Sequence, residues 1–325
     1  MLKKLVFLGM GGTIAGSSDS ASDNVGYKAG QVGVAHLLVA IPALGGVLGD
    51  HEPVSEQVAQ LDSKDLGHPH WSALALRVFH YLSMADVSAV VITHGTDTLE
   101  ETAFFLSRVL PAELLRSKPV VLTCAMRPSS SLAPDGPQNV LDAVVTALNS
   151  ASRGVVVVCA GTVHSARDVQ KVHPYRVNAF DSGDSGPLGF VEEGNVRWVH
   201  PCSGVFADAR AIPLEKMSLE SWPWVEIMVS HAGVTGAAVR ALCALPQGAM
   251  PSLAGIVVAG TGNGTIHQDL EAALRDAQKQ GVRVVRSTRC SQGRVVVGST
   301  EFEFAHSNGL SPVKARIALM LELMR

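Results

Sequence analysis

The sequence alternates short apolar, β-branched runs with helical patterns along most of its length. The runs KLVFLG, AVVITHG, PVVLTC and GVVVVCAG each have the length and composition of a buried strand. Patterns typical of helices, such as HWSALALRVFHYL and NVLDAVVTALNSA, separate them. Strands that alternate with helices indicate a mostly parallel sheet with helices on both faces. We therefore predict a doubly wound α/β fold.

The alternation occurs in two blocks of unequal length. The first extends to about residue 195, and a weakly periodic stretch with several Pro, Ser and Gly residues follows at 196–221. A second alternating set, with strands such as VEIMVSHAG and AGIVVAGTGNG, occupies 222–325. We predict two doubly wound domains with mostly parallel sheets, a larger N-terminal one at 1–195 and a smaller C-terminal one, joined by the connecting segment. The stretch GFVEEGNVRWVH predicts a hairpin.

Composition and charge exclude several classes of protein. The 325 residues are 47% hydrophobic and 17% charged, which is typical of a folded protein with a large core. A net charge of −3 gives no basic surface for nucleic acid or anionic membranes. No apolar segment approaches the ~18–20 residues that span a bilayer. The apolar part of MLKKLVFLGMGG is too short for a secretory signal, so we predict a cytoplasmic protein with reduced cysteines.

A glycine turn follows the first predicted strand. In GMGGTIAG, three glycines within four positions allow a tight turn and a close approach to a ligand. A nucleotide site is not indicated, because neither a phosphate-binding lysine nor a ribose-binding acid follows at the expected spacing. Residues 16–30 are polar and contain one aromatic side chain, Tyr27, which is typical of a mobile lid. The alternative is a structural turn followed by a surface loop.

Polar residues also follow the predicted strand VSAVVIT. Thr96 and Asp97 stand between this strand and a helix, at the edge of a parallel sheet where ligands bind. A threonine hydroxyl becomes a nucleophile when a base accepts its proton. Lys171, in RDVQK, is a candidate base if it is buried near a carboxylate and a hydroxyl. The neighbouring His94 is expected to be structural.

Simpler structural interpretations exist for the same residues. Thr98 and Glu101 have the spacing of a capping box, so Thr96 and Asp97 would belong to a helix N-cap. Lys171 would be a solvated surface charge. The histidines and cysteines have none of the spacings of a metal site, so no metal is predicted.

Taken together, these motifs resemble the bacterial-type L-asparaginase family. GGTIAG (11–16) and HGTDTLEETAFFL (94–106) match its two threonine signatures. Further matches follow in the family's order, at AMRP (125–128), DGPQN (135–139), RDVQK (167–171), GPLGFV (186–191), GTGNG (260–264) and KARIAL (314–319). The resemblance covers nearly the whole chain.

The resemblance implies an amidohydrolase that converts L-asparagine to L-aspartate and ammonia without a metal or organic cofactor. It also implies a homotetramer of two intimate dimers, with the site near a subunit interface. The catalytic residues implied are Thr13, Tyr27, Thr96, Asp97 and Lys171. The substrate-binding residues predicted are Ser63, Asp97, Gly95, Gly12 and Asp62.

The family's roles transfer to matching positions. Thr13 matches the nucleophilic threonine and Tyr27 the lid tyrosine that closes over it. Ser63 matches a residue that binds the substrate α-carboxylate, and Asp97 would receive the α-ammonium group. Lys171 would accept a proton, while backbone N–H groups around the second threonine would stabilise an oxyanion. Whether the first threonine forms an acyl-enzyme or the second activates water directly stays open.

Three features depart from the family's pattern, of which Met10, where the family often has threonine, is expected to have only a small effect on packing. Lys64 follows Ser63 where well-known members carry glutamine, which would strengthen carboxylate binding or alter the choice between asparagine and glutamine. The stretch CSQGRVVVGSTEFEF is shorter than the segment by which a neighbouring subunit supplies an acid, for which Glu301 and Glu303 are the candidates. The alternatives are an asparaginase with substantial glutaminase activity and a non-catalytic amino-acid sensor on the same scaffold.

Overall fold

The computed structural model describes residues 2–202, 222–245, 251–298 and 304–325. The chain divides into two compact units, Met1–Leu214 and Glu215–Arg325. The boundary between them falls in the predicted connecting segment, 196–221, of which residues 203–221 lie outside the described part of the chain.

Five parallel strands form most of the sheet in the first unit. They are β1 (Lys3–Gly11), β2 (His51–Leu61), β3 (Val87–Thr93), β4 (Val120–Thr123) and β5 (Val155–Cys159). They lie side by side in the order β5-β4-β3-β1-β2. Apart from its first two residues β1 is buried, as expected for a parallel strand whose two faces are both covered.

Antiparallel strands extend this sheet beyond β5. The first, β6 (Thr162–Ser165), pairs with β5, and a separate two-stranded sheet of β7 (Gln170–Lys171) and β8 (Phe180–Asp181) follows. The chain then returns to the main sheet as β9 (Gly189–Glu192) and β10 (Asn195–Trp198). These two strands form the hairpin predicted from GFVEEGNVRWVH.

Helices connect the parallel strands of the first unit. They are α1 (Val34–Val39), α2 (Leu44–Leu48), α3 (His68–Ser83), α4 (Leu99–Val109), α5 (Ala112–Leu115) and α6 (Gly136–Leu148). Strand and helix side chains meet in one core cluster that includes Leu5, Phe7, Val91, Val156, Val140, Ala143 and Val144. Acidic residues in the first turn of α4 and an arginine in its last turn complement the helix dipole.

The second unit contains a smaller parallel sheet. Its strands are β11 (Trp224–Val229), β12 (Leu253–Gly260), β13 (Arg283–Thr288) and β14 (Ala305–His306), in that spatial order. The helices are α7 (Ala237–Cys243), α8 (Gln268–Lys279) and α9 (Pro312–Leu323). Ile256 and Val258 of β12 pack with Leu270 and Leu274 of α8 in the core. The prediction of two α/β units with mostly parallel sheets is therefore confirmed.

The described residues contain neither a membrane-spanning helix nor a cluster of metal ligands. They include no helix long and apolar enough to cross a membrane. In the same ranges, no group of three or more His, Cys, Asp or Glu side chains is arranged to hold a metal ion.

Candidate active site

Three neighbouring strands of the first unit end in polar turns at the same edge of the sheet. Thr13 begins a 3-10 turn (Thr13–Ala15) after β1, and Ser63 begins another (Ser63–Asp65) after β2. Thr96 follows β3, which lies on the other side of β1. All three hydroxyl-bearing side chains are buried. Because the carboxyl ends of parallel strands share one edge, the topology collects residues that are distant in sequence.

Two glycines allow the turns after β1 and β3 to touch. Gly12 has a φ of +81°, a left-handed conformation that favours glycine. A Cβ atom at Gly12 would lie 2.2 Å from Cα of Gly95. A Cβ atom at Gly95 would lie 2.5 Å from the Ser63 hydroxyl. The three turns therefore pack together at a point where no side chain fits.

Thr13 is paired with the tyrosine of the predicted lid. The two hydroxyl oxygens of Thr13 and Tyr27 lie 2.5 Å apart, and either one is able to donate. Burial raises the pKa of Tyr27, against the hydrogen bond to Thr13, and the carboxylates of Asp62 and Asp97 raise it further. Tyr27 is therefore a neutral phenol at neutral pH. The same carboxylate charges tie this first cluster electrostatically to the turns after β2 and β3.

The lid segment is hydrogen-bonded in a closed conformation. Ser17 and Lys28 exchange backbone hydrogen bonds of 3.0 and 2.9 Å, which close the loop that carries Tyr27. The loop also contacts residues 129–132: the hydroxyl of Ser129 donates to the Gly16 carbonyl at 2.7 Å. These bonds hold the tyrosine over Thr13 in this conformation. The mobility expected of residues 16–30 stays a prediction.

The Lys171 amine reaches both members of the second cluster. Its Nζ lies 2.9 Å from Thr96 Oγ1 and 2.5 Å from Asp97 Oδ1. The lysine side chain is only 17% exposed, which is inconsistent with a solvated surface charge. A hydroxyl, an amine and a carboxylate thus lie within hydrogen-bond distance, an arrangement suited to proton transfer.

The predicted capping box of Thr98 and Glu101 is wrong, since the N-cap side chain makes no capping hydrogen bond. The Thr98 hydroxyl instead donates to the Ser63 carbonyl at 2.9 Å. In return, the Asp97 backbone N–H donates to the Ser63 hydroxyl at 3.2 Å. The Thr98 hydroxyl therefore holds the turn after β2 against the turn after β3 and does not cap α4.

His94 is fully buried beside this junction. Its Nδ1 donates to the Gly95 carbonyl at 2.7 Å, and its Nε2 has no hydrogen-bond partner among the described residues. Burial lowers the pKa of His94 from 6.5 to about 4, so the imidazole is neutral. Its bond to the Gly95 backbone is consistent with the structural role expected from the sequence.

Two of the features that depart from the family's pattern, at Lys64 and in the C-terminal stretch, differ in what the structure describes. The Lys64 ammonium donates to Asp65 at 2.5 Å, and Asp62 accepts the Lys64 backbone N–H at 3.3 Å. Lys64 is thus an exposed cation next to Ser63, directed at Asp65 in this conformation. Glu301 and Glu303, the candidates for an acid supplied by a neighbouring subunit, lie outside the described residues.

One contact of the site was not foreseen from the sequence. Glu100, in the first turn of α4, accepts the backbone N–H of Lys171 at 3.0 Å. An acid at a helix N-terminus is common because it complements the dipole, so it carried no special signal.

The relatives of the chain match it along its whole length. A family model described as "Asparaginase, N-terminal" matches residues 4–203, and a "Glutaminase/Asparaginase C-terminal domain" matches residues 224–325. The chain belongs to the asparaginase family. The resemblance seen in the sequence is therefore confirmed.

Individual relatives of this asparaginase-family chain share about a third of its residues. The L-asparaginase 2 of Escherichia coli strain K12 is 37% identical over 329 residues, covering 99% of this chain and 89% of the relative. A glutaminase-asparaginase of Pseudomonas fluorescens biotype A is 34% identical, covering 100% of this chain and 87% of that protein. The crystal structure of a probable cytoplasmic L-asparaginase from Campylobacter jejuni matches with a TM-score of 0.89 at 35% identity, covering 99% of this chain and 95% of that one.

Proposed function

We propose that this asparaginase-family protein hydrolyses L-asparagine to L-aspartate and ammonia. The observation that carries the proposal is the meeting of two buried threonines at one sheet edge, each with its own polar partners. Thr13 is paired with Tyr27, and Thr96 with Lys171 and Asp97. The relatives named L-asparaginase and glutaminase-asparaginase support the same reaction class.

In this proposal, Thr13 is the nucleophile. Its Oγ1 attacks the side-chain amide carbon while its proton passes to the hydrogen-bonded network that begins at Tyr27. Backbone N–H groups around Gly95 and Thr96 stabilise the oxyanion of the tetrahedral intermediate. The amide nitrogen then takes up a proton and leaves as ammonia, giving an acyl ester on Thr13. Water hydrolyses this ester, which releases aspartate and restores the threonine hydroxyl.

The second cluster moves the protons. Thr96 Oγ1 lies between the Lys171 amine and the Asp97 carboxylate, at 2.9 and 3.4 Å. In the second half of the reaction, the water that attacks the ester gives a proton through this hydroxyl to the Lys171 amine, and the proton then returns to the oxygen of Thr13 as the ester bond breaks. Direct activation of water by Thr96 is the other route on the same geometry. A burst of ammonia release before steady state would identify the acyl-enzyme route.

An amino acid carries an anion and a cation, and the site has a group for each. In our proposal the Ser63 hydroxyl, at the turn after β2, binds the α-carboxylate. Asp97 provides a carboxylate for the α-ammonium group, with Asp62 close enough to act electrostatically on the same region. Gly12 and Gly95, whose backbones pack against each other, bring the two threonine turns together, and in our proposal they border the substrate. These side chains supply the whole reaction in our proposal, so no cofactor is invoked.

We further propose a cytoplasmic homotetramer of two intimate dimers, with the site near a subunit interface. Large apolar side chains are exposed in the loop that carries Tyr27, in the segment bonded to it and next to Lys171, namely Val25, Leu132, Val172 and Tyr175. In our proposal these side chains belong to the subunit interface. Sedimentation velocity would test the assembly, with a monomer contradicting it.

The function is tested by ammonia release from L-asparagine and L-glutamine, measured side by side, with Thr13→Ala as the inactive control. Asparagine turnover far above glutamine turnover is the expected result. Comparable rates would favour the glutaminase-asparaginase alternative, and Lys64→Gln would then show whether this cation sets the preference. A folded protein that binds aspartate but releases ammonia from neither amide would favour the sensor.

A further inference from the structure

The strand that carries Lys171 pairs with β8 and not with the eight-stranded main sheet. β7 and β8 form a sheet of their own, with two residues in each strand. Within it Lys171 lies opposite Phe180, and the next residue, Val172, donates its N–H to the Ala179 carbonyl at 2.8 Å. Such a short pair of strands is only marginally ordered by itself. Another contact is therefore needed to hold the lysine at a defined distance from Thr96.

Glu100 provides that contact. Its Oε2 accepts the Lys171 backbone N–H at 3.0 Å across a separation of 71 positions in the chain. Glu100 belongs to the first turn of α4, the helix that directly follows the turn bearing Thr96 and Asp97. The bond thus connects the Lys171 backbone to the segment that also carries Thr96 and Asp97, the two residues that its amine contacts. A hydrogen bond donated to a carboxylate is stronger than one donated to a neutral acceptor.

We infer that Glu100 is a positioning residue for the proposed amide hydrolysis: by fixing the Lys171 backbone, it sets the distance from the lysine amine to the Thr96 hydroxyl. This inference rests on the proposed function. A lysine side chain has a flexible four-carbon stem, so its amine is placed accurately only when its backbone is fixed. A misplacement of about 1 Å at a reacting group costs on the order of 100-fold in rate.

Three variants separate position from charge. Glu100→Ala removes both the acceptor and the charge, whereas Glu100→Gln keeps an amide oxygen that accepts the same N–H. Glu101→Ala is the matched control, because it removes a carboxylate from the same first turn of α4. We would measure kcat and KM for asparagine, together with amide hydrogen exchange of a peptide containing Lys171.

Glu100→Ala is expected to lower kcat by roughly 10- to 100-fold. KM should change little, because Ser63 and Asp97 are untouched, and hydrogen exchange at Lys171 should become faster. Glu100→Gln should restore most of kcat and the slow exchange, and Glu101→Ala should resemble the parent.

The inference is overturned if Glu100→Ala keeps the parental kcat, if Glu100→Gln is as slow as Glu100→Ala, or if Glu101→Ala shows the same loss. If the parent protein releases no ammonia from either amide, the proposed function fails by itself. Hydrogen exchange then still tests the contact, since unchanged exchange in Glu100→Ala would show that Glu100 does not fix the lysine.

Discussion

The backbone of Gly12 packs directly against the backbone of Gly95, so that the turns after β1 and β3 meet without an intervening side chain. Each glycine immediately precedes one of the two threonines of the candidate site. This contact between the two backbones therefore fixes the relative position of Thr13 and Thr96. It is possible because neither glycine has a Cβ atom. Both positions require glycine because a Cβ atom would collide with the neighbouring turn, and Gly12 also has a left-handed φ that favours glycine.

Gly12→Ala is expected to disrupt both stability and activity. The added Cβ would lie 2.2 Å from Gly95 Cα, and the backbone neighbours have no flexible end that moves aside. Overpacking of this kind costs about 1–3 kcal/mol, and displacement of the threonines lowers kcat by about 100-fold. Gly46→Ala in α2 is the matched control, because nothing lies within 4 Å of its added Cβ. Urea unfolding and ammonia release should show a loss for Gly12→Ala alone.

Tyr27→Phe is expected to lower kcat by about 100- to 10,000-fold, the range for loss of a proton-transfer group. The change removes the hydroxyl that lies 2.5 Å from Thr13 and leaves the ring in place. Aspartate binding should persist, because Ser63 and Asp97 are unchanged. Tyr81→Phe serves as control, since its phenol bonds Glu56. Equal kcat values for Tyr27→Phe and the parent would exclude a role for the phenol in proton transfer.

The strand-to-helix alternation was sufficient to predict the fold, and together with the glycine turns it predicted the edge of the sheet where the structure brings the candidate site residues together. These signals are local, and each recurs within a few residues. The sequence did not predict that Lys171 is buried, because a charged run such as RDVQK is equally typical of a solvated surface. In the structure the Lys171 side chain is 17% exposed, and the position of β7 depends on contacts between segments that are distant in sequence.

Contacts across long sequence separations account for the remaining differences. Thr98 has a normal capping position, yet its hydroxyl bonds Ser63, which lies 35 positions earlier. The local capping preference was overridden by this contact with a turn that is distant in sequence. The contact of Glu100 with Lys171 was invisible for the same reason.

Thr98→Val is expected to raise KM for asparagine more than it lowers kcat. The change keeps the shape of the side chain but leaves the Ser63 carbonyl without the hydroxyl donor at 2.9 Å, a loss of about 1 kcal/mol. Ser63 is the proposed ligand of the substrate carboxylate, so its displacement weakens binding first. Thr98→Ser retains the hydroxyl and should restore KM. A drop in kcat at constant KM would instead place Thr98 in the chemical step.

Protonation of His94 is expected to destabilise the fold in mild acid. Burial lowers its pKa in the folded state from 6.5 to about 4, so between these values the unfolded chain binds a proton that the folded chain does not. Above pH 6.5 the imidazole is neutral in both states and contributes no pH dependence. Stability should therefore fall as the pH drops from about 6.5 to about 4, by up to about 3 kcal/mol from this residue.

The comparison with His94→Gln isolates this contribution, because other groups titrate equally in both proteins. Free energies of unfolding from urea titrations at several pH values should differ between parent and variant by a constant amount above pH 6.5. Below that pH the parent should lose stability faster, so the difference should shift in favour of His94→Gln as the pH approaches 4. Parallel curves across the whole range would mean that the buried imidazole does not resist protonation in the folded protein.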